Sequence, residues 1–391
     1  MNMNQTTRTK TKLTKEQLIQ FKENGFILLR NVLDTNECQQ FDKHVVQPAL
    51  FKYAGIDETN PSTWMVNQDC NDRLRIMATG DMSHFSDVLP GVMVRKLPSG
   101  DDPISDEENL DLTALHSILD QLHDANINAN DQDHDHDHDH DGEKIKQHSW
   151  KWLHTNVGWI HVRFPIIHDT QNQNLETTKN NPKEYDSMPN STKIKDPMNI
   201  HQYSWHVDGN HFSPHKLDSL EQSVIILPMI RPVAVGGGNT RVLKKSHIYM
   251  AHALYKAQYK HKLNNQHTRI CIHGGGIPKQ ITQNLNHVAM TWPDHLTSEI
   301  APCQAGDVLL MHPFLIHTAG YAKQGHPLRV AFNMGVQWIR QPNIPIPFAL
   351  ASNCNNLNKQ TKDAKPSIDG LSVLEDSIVW ALHQNLDFMS N

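Results

Sequence analysis

Cysteine is scarce in this chain and does not pair off. Cys38, Cys70, Cys271, Cys303 and Cys354 make an odd five among 391 residues, with no Cys-x-x-Cys spacing. That argues against a disulfide framework or a zinc ribbon and points to free thiols in a reducing, cytoplasmic setting. Long apolar runs are missing as well, so no stretch is suited to cross a membrane. Residues 1–12 are rich in Thr and Lys, carry no apolar signal segment, and read as a disordered tail. A strong charge of one sign is also lacking. The formal net charge is −6, and seven acidic residues fall between Asp131 and Glu143, leaving the remainder close to neutral. Neither nucleic acid nor an anionic membrane is therefore expected as a partner. Aromatic residues make up only 7% and hydrophobic residues 38%. With a mean hydropathy of −0.57, this suggests polar insertions around an ordinary core. Two motif classes are absent too. No Gly-x-Ser-x-Gly elbow accompanies His273-Gly274-Gly275-Gly276, so the hydrolase reading of that turn lacks a nucleophile. Gly236-Gly237-Gly238 is followed by neither a P-loop nor a dinucleotide-binding pattern.

Histidine, by contrast, is abundant, at 27 residues. The informative ones are His206, in Trp205-His206-Val207-Asp208, and His317, at the end of the apolar run that starts at Val308. Two imidazoles and one carboxylate are the set that holds Fe(II) on one face and leaves the opposite positions open for a co-substrate and O₂. The single residue between His206 and Asp208 matters, because alternate residues of a strand point to the same side. A bare His-x-Asp is weak by itself, since the spacing repeats through His134-Asp135-His136-Asp137-His138-Asp139-His140. That run is low in complexity and reads as a flexible insertion with incidental affinity for Zn²⁺, Ni²⁺ or Cu²⁺. His312 competes with His317 as the distal ligand; small following residues and the distance to Arg329 favour His317. Arg329 lies in the otherwise apolar Leu328-Arg329-Val330-Ala331-Phe332-Asn333-Met334. Burying that guanidinium calls for an anionic partner, which a carboxylate gripped at two points would supply.

Along the chain, Thr14 and Gln17 form a capping box for a helix that Gly25 can end. Strands are expected at Phe26–Val32, Gly91–Lys96, Trp159–Ile167, Ser223–Ile230, Arg241–Leu243, Val308–Leu315 and Arg329–Trp338. Helices are expected from Asp34 to about Lys52, at Asp111–Leu122, near Ile248–Tyr259 and at Leu371–Leu386. Two polar stretches, near 126–146 and 169–198, read as insertions. Short strands with flanking helices predict a mainly β fold, a double-stranded β-helix or jelly roll of the cupin kind, rather than a parallel α/β sheet.

The segments Leu13–Leu33 and Val235–His247, together with the His206, Asp208, His317 and Arg329 pattern, resemble the phytanoyl-CoA dioxygenase-like oxygenases. The resemblance implies one oxygenase domain over 13–391 that uses Fe(II), 2-oxoglutarate and O₂. It further implies that His206, Asp208 and His317 bind iron and that Arg329 anchors the far carboxylate of 2-oxoglutarate. Succinate and CO₂ would be released as a small-molecule or acyl substrate is hydroxylated. Halogenating relatives lack the metal carboxylate, and Asp208 is present. Two departures stand out. Lys244-Lys245 replaces the family's Pro-Gly, and Ala319 stands where a hydroxyl residue commonly assists the co-substrate, with Thr318 the adjacent candidate. The alternatives are a non-catalytic metal-binding jelly roll and a Zn²⁺ hydrolase on the same ligands.

Overall fold

The computed structural model describes residues 12–54, 56–60, 91–94, 110–124, 148–152, 159–163, 205–208, 217, 219–220, 223–259, 285–320, 322–323, 325–339 and 371–386. Both polar insertions, residues 1–11 and His273-Gly274-Gly275-Gly276 lie outside these residues.

The chain opens with α1 (Lys15–Asn24), where the Thr14–Gln17 capping box forms and Gly25 closes the helix at φ 80°. β1 (Phe26–Leu29) follows and is shorter than the sequence suggests. Asp34 caps α2 (Thr35–Phe41) by accepting from the amides of Asn36 and Glu37. A π turn, Asp42–Val46, carries the helical path into α3 (Gln47–Ala54). β2 (Gly91–Val94), α4 (Thr113–His123), β3 (Trp150–Trp152) and β4 (Trp159–Arg163) come next. β5 (Val224–Pro228), β6 (Thr240–Leu243), α5 (Ser246–Tyr259) and α6 (Leu285–Met290) lead to β7 (Thr297–Glu299). β8 (Val308–Met311), β9 (His317–Ala319), β10 (Arg329–Trp338) and α7 (Val373–His383) complete the order.

Seven antiparallel strands form one sheet in the order β1-β8-β5-β10-β4-β2, with β3 also paired to β10. A second sheet runs β7-β6-β9. This is the mainly β, jelly-roll-type architecture that the strand pattern predicts. Alternation divides the large sheet cleanly. Ile27, Leu29, Val224, Ile226, Val308 and Leu310 face a cluster that includes Phe41, Val46 and Leu50 of the α2–α3 segment and Leu115 and Leu119 of α4. Their neighbours Phe26, Ile225, Leu227, Leu309 and Met311 face inward, against Val242 and Leu315. Outside the small sheet, Leu243 and Ile316 pack with Met250, Leu254, Val288, Ile378 and Leu382 of α5, α6 and α7.

The apolar run from Val308 does not continue as one strand to Leu315. β8 ends at Met311, and the backbone turns through His312 and Pro313, with the Leu315 amide donating to the His312 carbonyl. Proline has no amide to extend the ladder, and the turn carries the chain from the large sheet to the small one.

Candidate metal centre

Trp205 and Val207 are buried in the cluster outside the small sheet, so alternation sends His206 and Asp208 to the opposite, inner side. The Trp205 amide is fixed by Asn286 of α6 at 3.1 Å. His206 and His317 are directly opposed and exchange both backbone hydrogen bonds, at 3.0 and 2.9 Å. Their ring centroids stand 4.5 Å apart. Asp208 Oδ1 lies 3.5 Å from His206 Nε2 and 3.6 Å from His317 Nε2. The potential ligand atoms of the three residues all fall within 4.8 Å of one another, and no other such group occurs among the described residues.

The donor types fit an ion. Two donors at right angles, each about 2.1 Å from a metal, stand roughly 3 Å apart, and both Asp208–imidazole separations lie close to that value. His317 Nδ1 faces the Leu315 carbonyl at 2.9 Å. That carbonyl only accepts, so Nδ1 carries the proton and the Nε2 lone pair is left for a metal. Burial alone would push the Asp208 carboxyl up, but the charge and hydrogen bonds of His317 and His206 outweigh it and hold Asp208 well below the usual carboxylate range. Burial would likewise lower His317, yet Asp208 prevails and raises it. A cation bound here would take over the stabilising role of that proton.

Arg329 opens β10 and is buried, with Nη2 donating to Thr240 Oγ1 at 3.0 Å. β6 pairs with β9 so that Val242 stands opposite His317 and Thr240 opposite Ala319. The Arg329–Thr240 contact is thus offset from the His317 rung by two residues, or roughly 6–7 Å along the strand. Thr318 is placed differently from its expected role. It pairs with Arg241 and, being adjacent to His317 in β9, points to the other face. Its hydroxyl reaches only the Ala319 carbonyl, at 3.4 Å. Thr240 carries little signal in the sequence, as a single hydroxyl at the head of the short strand Thr240–Leu243. So does Asn333, the second polar residue of β10, which donates to Asp208 Oδ2 at 2.9 Å. His312 belongs to the core: its Nδ1 accepts from the Phe314 amide at 3.1 Å, and its ring packs near Phe21 and His247. Arg163 stands opposite Arg329 in the β4–β10 register.

A partly buried two-histidine, one-carboxylate group inside a jelly-roll-type core is the donor set that a mononuclear metal centre with open positions requires. The chain belongs to the phytanoyl-CoA dioxygenase (PhyH) family, whose model matches residues 21–327, and it is an enzyme of the oxygenase type. Arg329 falls just past the matched span. A comparison with curated proteins finds no match. Among solved structures, HygX from Streptomyces hygroscopicus with nickel and 2-oxoglutarate bound is 13% identical, with 84% of this chain and 88% of that one covered and a TM-score of 0.36. The 2-oxoglutarate-dependent carbocyclase SnoK from nogalamycin biosynthesis is 12% identical, covering 84% and 86%, with a TM-score of 0.35. A putative oxidoreductase from Salmonella typhimurium LT2 is 14% identical, covering 84% and 71%, with a TM-score of 0.38. At such low superposition the family assignment rests on the sequence match. Among the described residues, no helix is long and apolar enough to cross a membrane.

Proposed function

We propose that this protein is an Fe(II)- and 2-oxoglutarate-dependent dioxygenase that hydroxylates a small-molecule or acyl substrate, releasing succinate and CO₂. The observation that carries the reading is the convergence of His206 Nε2, His317 Nε2 and Asp208 Oδ1 beside a buried Arg329. In this reading the three side chains hold Fe(II), and Arg329 grips the far carboxylate of 2-oxoglutarate. Thr240, rather than Thr318, supplies the second contact. Its hydroxyl already touches the guanidinium, and it stands opposite Ala319, where the family's usual hydroxyl is missing. The two-residue offset from the His317 rung suits a five-carbon diacid lying between metal and arginine.

When bound, Fe(II), 2-oxoglutarate and O₂ together supply oxidative decarboxylation and oxygen insertion into a C–H bond. The chain's own residues fix the geometry. The Leu315 carbonyl holds the His317 tautomer, Asn286 fixes the Trp205 backbone beside the ligand pair, and the apolar interior around Val242 and Leu315 limits water. Asp208 fills a coordination position that halide would otherwise take, which supports hydroxylation over halogenation. Oxygen uptake with Fe(II) and 2-oxoglutarate, screened across acyl thioesters, amino-acid derivatives and secondary metabolites, tests the reading. A substrate that accelerates uptake and gains one oxygen atom supports it. Uptake that is insensitive to 2-oxoglutarate would reject it.

A further inference from the structure

We infer that Asn333 is a positioning residue that holds Asp208 to single-oxygen ligation; this rests on the metal site proposed above. The two carboxylate oxygens of Asp208 have separate surroundings. Oδ1 faces the two imidazoles at 3.5 and 3.6 Å, whereas Oδ2 accepts from Asn333 Nδ2 at 2.9 Å. An ionised carboxylate only accepts, so the amide nitrogen must be the atom that faces it. A primary amide does not titrate, so the donor is present at every working pH.

Strand geometry explains why this side chain is available. In β10, Val330, Phe332 and Met334 pack into the helix-covered cluster, so Arg329, Ala331 and Asn333 turn inward together. One strand thereby presents both the co-substrate anchor and the support for the metal carboxylate, with only the small Ala331 between them. If Oδ2 were free, Asp208 could chelate with both oxygens and take a position that the keto acid or O₂ requires. Tying Oδ2 to Asn333 leaves one oxygen for the metal and fixes the carboxylate plane.

The test uses full-length, metal-free protein under anaerobic conditions. Fe(II) is titrated at saturating 2-oxoglutarate, and 2-oxoglutarate at saturating Fe(II), following the visible charge-transfer band of iron chelated by the keto acid. That band reports only this site, so metal held by the Asp-His run does not contribute. Asn333→Leu keeps side-chain volume without a donor, and Asn333→Ala removes the donor without crowding; circular dichroism checks each fold. We expect Fe(II) binding to weaken about 10–100-fold. The 2-oxoglutarate affinity should change far less, because Arg329 and Thr240 are untouched. Parent-like Fe(II) affinity in a folded variant overturns the inference, as does an equal loss of both affinities. Absence of the band in the parent itself would instead reject the proposed function.

Discussion

Arg329 Nη2 donates a 3.0 Å hydrogen bond to the Thr240 hydroxyl, joining the large sheet to the small one beside the histidine–aspartate group. If this contact marks the seat of the far carboxylate, the two residues contribute unequally. Arg329→Ala removes a charge-assisted contact of about 2–3 kcal/mol and should raise the 2-oxoglutarate KM by roughly 30–150-fold. Thr240→Val removes a neutral one of about 1 kcal/mol and should raise it roughly 5-fold. Thr318→Val should leave it unchanged. Steady-state kinetics in 2-oxoglutarate checks all three, and a larger effect at Thr318 than at Thr240 would reverse the assignment.

In halide-free buffer, His206→Ala, Asp208→Ala and His317→Ala should each abolish turnover, because two remaining ligands, with no halide to fill the vacated position, do not hold an ion in a defined geometry. His312→Ala should keep Fe(II) and lose roughly 2–3 kcal/mol of stability, since it opens a cavity and strands the Phe314 amide. Iron content and denaturant unfolding, measured on the same preparations, separate the two outcomes.

Two buried histidines that are not among the proposed ligands should set acid stability. His123 is pushed down from 6.5 to about 4 by burial, which outweighs its carbonyl contact with Leu119. His247 is likewise pushed down to about 4 by burial, against the Lys22 carbonyl. Between pH 6.5 and 4 the unfolded chain therefore binds more protons than the folded one. Stability is full above pH 6.5 and falls as pH drops through that window, by up to roughly 3 kcal/mol per site. Urea unfolding at several pH values should show this slope, and His123→Gln should reduce it.

Lys245 takes the place of the family's glycine and sits at φ 67°, while its amide donates to the Asn24 carbonyl. A side chain strains that backbone, so Lys245→Gly should stabilise the fold by about 1 kcal/mol. Gly306→Ala should do the reverse. At φ 91° its new Cβ would clash with the Leu33 carbonyl oxygen, which costs more than about 1 kcal/mol. Thermal unfolding of both variants gives the two signs.

Much of this was legible from local rules. The capping box at Thr14, the Asp34 cap and the strand alternation that joins His206 to Asp208 act within a few residues, so the sequence displays them. Alternation alone also turns Thr318 away from the side that His317 faces once His317 is placed on a strand. Thr240 and Asn333 were not legible, because their partners are 89 and 125 residues away. Only the packing of one sheet against the other brings those groups together. β3 and β7, of three residues each, are too short to show a period. The break at His312 hides inside a continuous apolar run because both sides of the turn are buried.

In the proposed site His206, Asp208 and His317 support oxidative decarboxylation of 2-oxoglutarate. Release of labelled CO₂ from 2-oxoglutarate carrying label at C1 tests it most directly, even before a substrate is known. Slow release is expected with Fe(II) and O₂, none with Zn²⁺ or without O₂, and none from Asp208→Ala in halide-free buffer. Release that persists in Asp208→Ala, or its complete absence from the iron-loaded parent, would contradict it.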